Sequence, residues 1–162
     1  MQGTTSPSAR YPRAFCLDAN LSYKVGDALA LVELPIIHVY RALPQHQGPV
    51  VGHCHAPDEV IAPWCAKTQH VLVTIDEDFK GRWLRSGLLA AHGVEVIVFD
   101  KDIPGLTAQH LRITTCLPWW QRTLEPHPYG HRVWLQTRKR VPILIRGKHT
   151  TRSTRLPSRT IA

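Results

Sequence analysis

The sequence contains no apolar run approaching the ~20 residues that a membrane-spanning helix requires. Its first residues, MQGTTSPSARYPRAF, lack the apolar h-region of a secretory signal. Cysteine is scarce as well: Cys16, Cys54, Cys65 and Cys116 stand far apart, without the spacing of a disulfide framework. Cys16 and Cys65 fall in apolar segments, where a free thiol packs as a small hydrophobe. These absences argue against a membrane span and a disulfide scaffold, and lead us to expect a protein of the reducing cytoplasm. Acidic residues are missing from one end only. Residues 1–120 carry ten Lys/Arg against eleven Asp/Glu, a net of −1, whereas residues 121–162 carry ten against the single acid Glu125, a net of +9. The formal charge of +8 therefore belongs to the C-terminal end, and a basic extension suggests an anionic partner.

What is present suits one domain. A chain of 162 residues, 43% apolar and 20% charged, has the composition of a globular core, expected over residues 14–146 with flexible tails at 1–13 and 147–162. RAFCLD reads as a buried strand ending at Asp18. NLSYKVGDALALVEL follows with Leu21, Val25, Ala28, Leu29 and Val32 on one helical face, capped by Asn20 or Ser22 and stopped by Pro35. IIHVY (36–40) reads as a second strand and 41–57, rich in Pro, Gly and His, as loop. DEVIAPWCAK (58–67) predicts a short helix with acids in its first turn, where the helix dipole favours them, and Pro63 predicts a kink or a late start. A strand over 70–75, a helix over 82–92, a strand over 94–100 and a helix over 107–124, bent or ended near Pro118, come next. RVWLQT and VPILI, joined by Arg138, Lys139 and Arg140, form a hairpin pattern. Strands alternating with helices imply a three-layer α/β/α domain around a central, mostly parallel sheet.

In such sheets function gathers at the carboxyl ends of the strands. Asp18 ends the first strand, Asp76 and Asp78 end the third, and Asp58 and Glu59 open the intervening helix, so three segments deliver carboxylates to one rim. Clustered carboxylates repel one another until a cation neutralises them. Hard cations such as Mg²⁺ and Mn²⁺ take oxygen ligands and can activate water or stabilise charge on a phosphodiester.

FCLDANLS, PDEVIAPWCAK, HVLVTIDEDF and GVEVIVF, in that order, resemble the compact PIN-like nucleases, many of them toxins of bacterial toxin–antitoxin pairs. The resemblance covers about residues 14–100. The family pattern places an Asp-x-Asn at the end of the first strand, an Asp opening a mid-domain helix and Thr-x-Asp-x-Asp-Phe after the next strand; Asp18, Asn20, Asp58, Asp76 and Asp78 match it. The resemblance implies a Mg²⁺- or Mn²⁺-dependent ribonuclease, commonly a homodimer and often neutralised by a cognate antitoxin protein. Asp18, Asp58 and Asp76 are its expected catalytic residues and, with Asp78, its metal ligands; Asn20 and Glu59 are second-tier. A further metal-site Glu on an early helix has no clear counterpart, Asp27 and Glu33 being the nearest. Residues 123–162 lie outside the resemblance.

Other chemistries are weighed on the same residues. A haloacid-dehalogenase-type phosphotransfer site wants Asp-x-Asp where this chain has Asp18-Ala19-Asn20, and a receiver domain wants an acidic pair after the first strand. His53, Cys54 and His55, with His38, His46 and Cys65 nearby in sequence, raise zinc but lack paired ligand spacing. A non-catalytic nucleic-acid-binding or partner-binding module remains, in which Trp119, Trp120 and Trp134 stack on bases while Arg122, Arg132 and the Arg138–Lys139–Arg140 run clamp phosphates. In the alternative, those tryptophans are core or a protein interface.

Overall fold

In the computed structural model, residues 13–76 and 92–146 are described. The expected helix over 82–92, the ligand candidate Asp78 and both expected tails lie outside them, apart from Arg13 and His92.

Six strands form one sheet in the order β2-β1-β3-β4-β5-β6, with β1 Ala14–Leu17, β2 Ile36–His38, β3 His70–Thr74, β4 Val96–Phe99, β5 Val133–Gln136 and β6 Ile143–Arg146. The first five are parallel, and β6 returns antiparallel to β5 as the expected hairpin. The strands alternate strictly. Phe15, Leu17, Val71, Val73, Ile97, Phe99 and Trp134 face one side of the sheet; Cys16, Leu72, Val96, Val98 and Val133 face the other. Successive side chains of a strand point to opposite faces, so a strand buried on both must be apolar throughout.

Helices cover both faces. Helix α1 (Tyr23–Leu31) and the long helix Leu106–Leu124, here α4, pack on the Phe15 side through Val25, Leu29, Ile113, Cys116, Leu117, Trp120 and Leu124. On the Cys16 side lie α2 (Val39–Ala42) and α3 (Asp58–Thr68), through Val39, Ile61, Ala62 and Cys65. The result is the three-layer α/β/α architecture with a mostly parallel sheet.

The structure corrects several local expectations. The strand 36–40 stops at His38, because the His38 Nδ1 accepts the Tyr40 backbone N–H at 3.0 Å and caps α2; one local hydrogen bond outweighs the strand preference of Val39 and Tyr40. The stretch 41–57 is not wholly irregular: a 3₁₀ turn spans Pro44–His46 and Gln47 bridges Cys54. Helix α1 ends at Leu31, before Pro35, and Glu33 takes the left-handed backbone (φ 60°) that turns the chain toward β2. Ser22 does occupy its N-cap, but its side chain makes no capping bond.

Pro63 and Pro118 both sit inside helices. Pro63 lies within α3, which begins at Asp58 rather than late, and Pro118 lies within α4 without ending it. An interior proline costs about 3 kcal/mol; in α4 that loss is offset by burial of Trp120 and four apolar neighbours. The tryptophans are also reassigned. Trp120 and Trp134 are core residues, 0% and 2% exposed, and cannot stack on a nucleic acid. Arg132 is buried against Glu95. Arg122 lies 5.2 Å over the Trp119 ring, a cation–π contact. No helix of the described residues is long and apolar enough to cross a membrane.

Candidate metal centre

Parallel pairing places the end of β1 beside the end of β3, with Leu17 opposite Val73. The Asp18 N–H donates to the Val73 carbonyl at 2.9 Å, which extends the ladder by one residue and carries the carboxylate to the rim. Asp18 is 4% exposed. Its Oδ1 accepts the Ala19 N–H at 2.7 Å and its Oδ2 accepts the Thr74 hydroxyl at 2.7 Å. A hydroxyl offers one donor and two acceptor positions, and Thr74 uses all three. It donates to Asp18, and accepts from the Asp76 backbone N–H at 3.0 Å and from Asn20 Nδ2 at 3.2 Å. Asn20 Oδ1 in turn receives the Ile75 N–H at 3.4 Å. Thr74 is fully buried, so its hydrogen bond to Asp18 is shielded from competing water, while Asn20 at the outer end of the network is exposed.

The electrostatics follow from the geometry. Burial raises the Asp18 pKa above the ordinary carboxylate value; the Thr74 and Ala19 hydrogen bonds pull it back, and the nearby Asp76 charge adds to the rise. Two carboxylates are thus close enough to repel, one buried and one half-buried.

The sequence-derived candidates separate accordingly. Asp18, Asn20 and Asp76 are brought together, joined by Thr74. Asp58 is half-buried in the first turn of α3 and Glu59 beside it is exposed. Among the described residues, no group of three or more His, Cys, Asp or Glu side chains is gathered closely enough to hold a metal ion. Asp27 pairs with Arg41 at 2.9 Å, and Glu33 is exposed in its turn, so neither enters the network. His38 is closed to metal: Nδ1 accepts from Tyr40, which leaves the proton on Nε2 to donate to the Leu21 carbonyl at 2.8 Å. Burial lowers its pKa, in keeping with that neutral tautomer. Arg138, Lys139 and Arg140 are exposed at the tip of the β5–β6 hairpin.

Two participants escape sequence reasoning. Thr74 stands in the motif, but its three-way role emerges only when β1 and β3 are side by side. Gln109 of α4 is buried; its Oε1 receives the Ser22 N–H at 2.8 Å and its Nε2 donates to the Ile103 carbonyl at 3.0 Å. It ties the loop after Asp18 to the loop after β4, and no local pattern marks it.

The donor set suits a hard cation in kind, since Asp18 keeps lone pairs beyond its two hydrogen bonds and Asp76 adds a second carboxylate. Mg²⁺ is commonly held by one or two carboxylates with the rest of its shell water. Replacing Thr74 by Val is expected to leave Asp18 without its side-chain donor and to lower stability by about 1–3 kcal/mol; urea unfolding of the metal-free protein measures this. Comparison with family models, curated proteins and solved structures returns no match.

Proposed function

We propose that this chain is a divalent-metal-dependent ribonuclease of the PIN-like kind, acting as the toxin of a toxin–antitoxin pair. The observation that carries this reading is the Asp18 carboxylate fixed by the Thr74 hydroxyl across the adjoining ends of β1 and β3, with Asp76 close enough to disturb its charge. Burial and two hydrogen bonds set the orientation of Asp18 in advance, the preorganisation that a ligating carboxylate needs. Asn20 and Thr74 position it. Asp18 and Asp76 would hold Mg²⁺ or Mn²⁺, with Asp58 and Glu59 approaching from the first turn of α3 and Asp78 following Asp76 in the chain. The bound cation would supply an activated water and charge stabilisation at the scissile phosphodiester.

The rim faces the ends of five parallel strands, the location at which ligands meet this class of sheet. Around it the hairpin tip presents three consecutive cations to an anionic substrate or to an acidic antitoxin. Homodimerisation and the antitoxin belong to the same proposal, and both are read by mass measurement of the purified protein with its co-purifying partners.

Metal-dependent cleavage of a single-stranded RNA, lost on chelation and restored by Mn²⁺, tests the activity itself. RNA binding without cleavage at any metal concentration would instead identify a non-catalytic binding module. Asp58→Asn is expected to raise the metal concentration needed for half-maximal cleavage about tenfold, as for a residue that supports the ligands from outside. An unchanged metal requirement would remove Asp58 from the site.

A further inference from the structure

At the carboxyl end of β4 an open cleft of about 410 Å³ lies between the loop after that strand, the outer face of α4 and the hairpin tip. Sheet register fixes its place. Thr74 pairs with Val98, so the end of β3, two residues before Asp76, lies beside the end of β4, which leads into the cleft. Phe99 pairs with Gln136, which brings Arg138 to the far wall. Gln109 links the loop after Asp18 to Ile103 on the near wall. The cleft and the Asp18–Asp76 rim are thus parts of one edge.

Its lining carries three kinds of group. Lys101, Arg112 and Arg138 are cationic, Ile103 and Leu111 are apolar, and Asp102 is an exposed acceptor. Leu111 is 66% exposed, a large apolar side chain left open to solvent on a helix face. The hairpin wall is rigidly held. Arg112 donates to the Thr137 carbonyl and, at 3.4 Å, to that of Arg138. Buried Gln136 donates to the Thr137 and Lys139 carbonyls while its Oε1 holds the Trp120 indole N–H at 2.7 Å. Lys139 and Arg140 add two exposed cations at the same tip, next to Arg138.

We infer that this cleft is a nucleotide subsite, which seats a segment of single-stranded RNA next to the Asp18–Asp76 rim. The inference rests on the ribonuclease reading only for the identity of the neighbouring rim. The match is chemical. Cations on both walls suit phosphates, the apolar wall between them suits a base face, and Asp102 can accept from a ribose hydroxyl or an exocyclic amine. The volume falls within the range of small-ligand clefts. With Lys139 and Arg140, five cations face two acids, Asp100 and Asp102, along this edge, which fits a polyanion.

The test is binding of a labelled oligouridylate of about eight nucleotides, in chelator so that no cleavage occurs. Lys101 and Arg138 are exposed, and the double variant Lys101→Ala/Arg138→Ala should fold normally. Arg112 is left in place because it holds the hairpin. Removing one cation from a phosphate flattens the log–log salt dependence by about 0.7, so the double variant should flatten it by about 1.4 and bind roughly 10- to 30-fold more weakly near 0.1 M salt. Leu111→Ala should weaken binding about fivefold with the slope unchanged, which separates base from phosphate recognition. Unmoved affinity and slope in the double variant would overturn the subsite, as they would if the cleft took an acidic protein segment instead. If the slope flattens while the wild-type protein cleaves no RNA with any divalent metal, the subsite stands and the nuclease reading fails.

Discussion

Asp76→Asn should reduce metal-dependent RNA cleavage by at least about 100-fold while leaving the fold intact. Loss of a preorganised electrostatic group at a reacting centre costs on the order of 10²–10³ in rate. Asp76 is half-buried, and its backbone N–H, which donates to Thr74, survives the substitution, so the network around Asp18 is retained. Asp18→Asn should be equally inactive. Its amide keeps an acceptor for either Ala19 or Thr74 and no longer carries a buried charge beside Asp76, so the metal-free melting temperature should hold or rise. Initial rates with saturating Mn²⁺ and a thermal melt in chelator, on the same two variants, provide the check. Full activity in either one would dismiss the site. A large fall in metal-free melting temperature would mark Asp18 as a structural residue.

Glu95→Ala should destabilise the fold by about 3–5 kcal/mol, or lower the melting temperature by roughly 6–20 °C. Glu95 lies just before β4, at the edge of the sheet opposite the rim, and its side chain is fully buried. Its Oε1 receives the Trp134 indole N–H at 3.1 Å and lies 3.6 Å from the Arg132 guanidinium; its Oε2 receives the Gly130 N–H at 3.3 Å. Arg132 is 7% exposed. Truncation would leave a buried cation and two buried donors without this acceptor. Glu95→Gln preserves the shape and gives the pH test. Burial raises the Glu95 pKa in the folded protein, with Trp134 and Arg132 pulling it back. A carboxyl raised on folding contributes stability that is complete below its unfolded pKa, near 4.3, and is lost as pH climbs through the folded value. The advantage of wild type over Glu95→Gln should therefore be largest near pH 4 and shrink toward neutrality. A difference that grows with pH would mean that the ion pair with Arg132 outweighs the cost of burial.

The sequence made the layers legible because the apolar alternation of β1, β3 and β4 is uninterrupted on both faces, and because each of these strands is followed by a change to polar residues. Asp18 and Asp76 could be placed on one edge for the same reason: strand ends in a parallel sheet share a rim. What could not be read depends on partners remote in the chain. Glu95 stands in VEVIVF as an apparent blemish in a strand, and only Gly130, Arg132 and Trp134, some 35 residues on, explain it. Val39 and Tyr40 have strand propensity, yet one imidazole nitrogen turns them into a helix. Trp120 looked suited to a base because its neighbours are Trp119 and Arg122; its indole instead anchors Gln136 from inside the core. Asp58 opens α3 as the sequence predicts, but first-turn acids also serve the helix dipole, and pattern alone does not separate that role from metal ligation.

The four free thiols form a set of reporters distributed through the layers. Cys16 lies in β1 of the sheet, Cys65 on α3 against one face and Cys116 on α4 against the other; all three are buried, and Cys54 is partly open. A thiol reagent can therefore time the breathing of each layer without any engineered probe. Cys54 should be consumed at the rate set by the reagent, while Cys65 and Cys116 should wait for their own helix to lift from the sheet. Cys16 faces the α3 layer beside Cys65, so it should become reactive together with Cys65 when that helix lifts. If the two helical layers open independently, Cys65 and Cys116 will be modified at different rates; if the domain opens only as a whole, the three buried thiols will share a single clock.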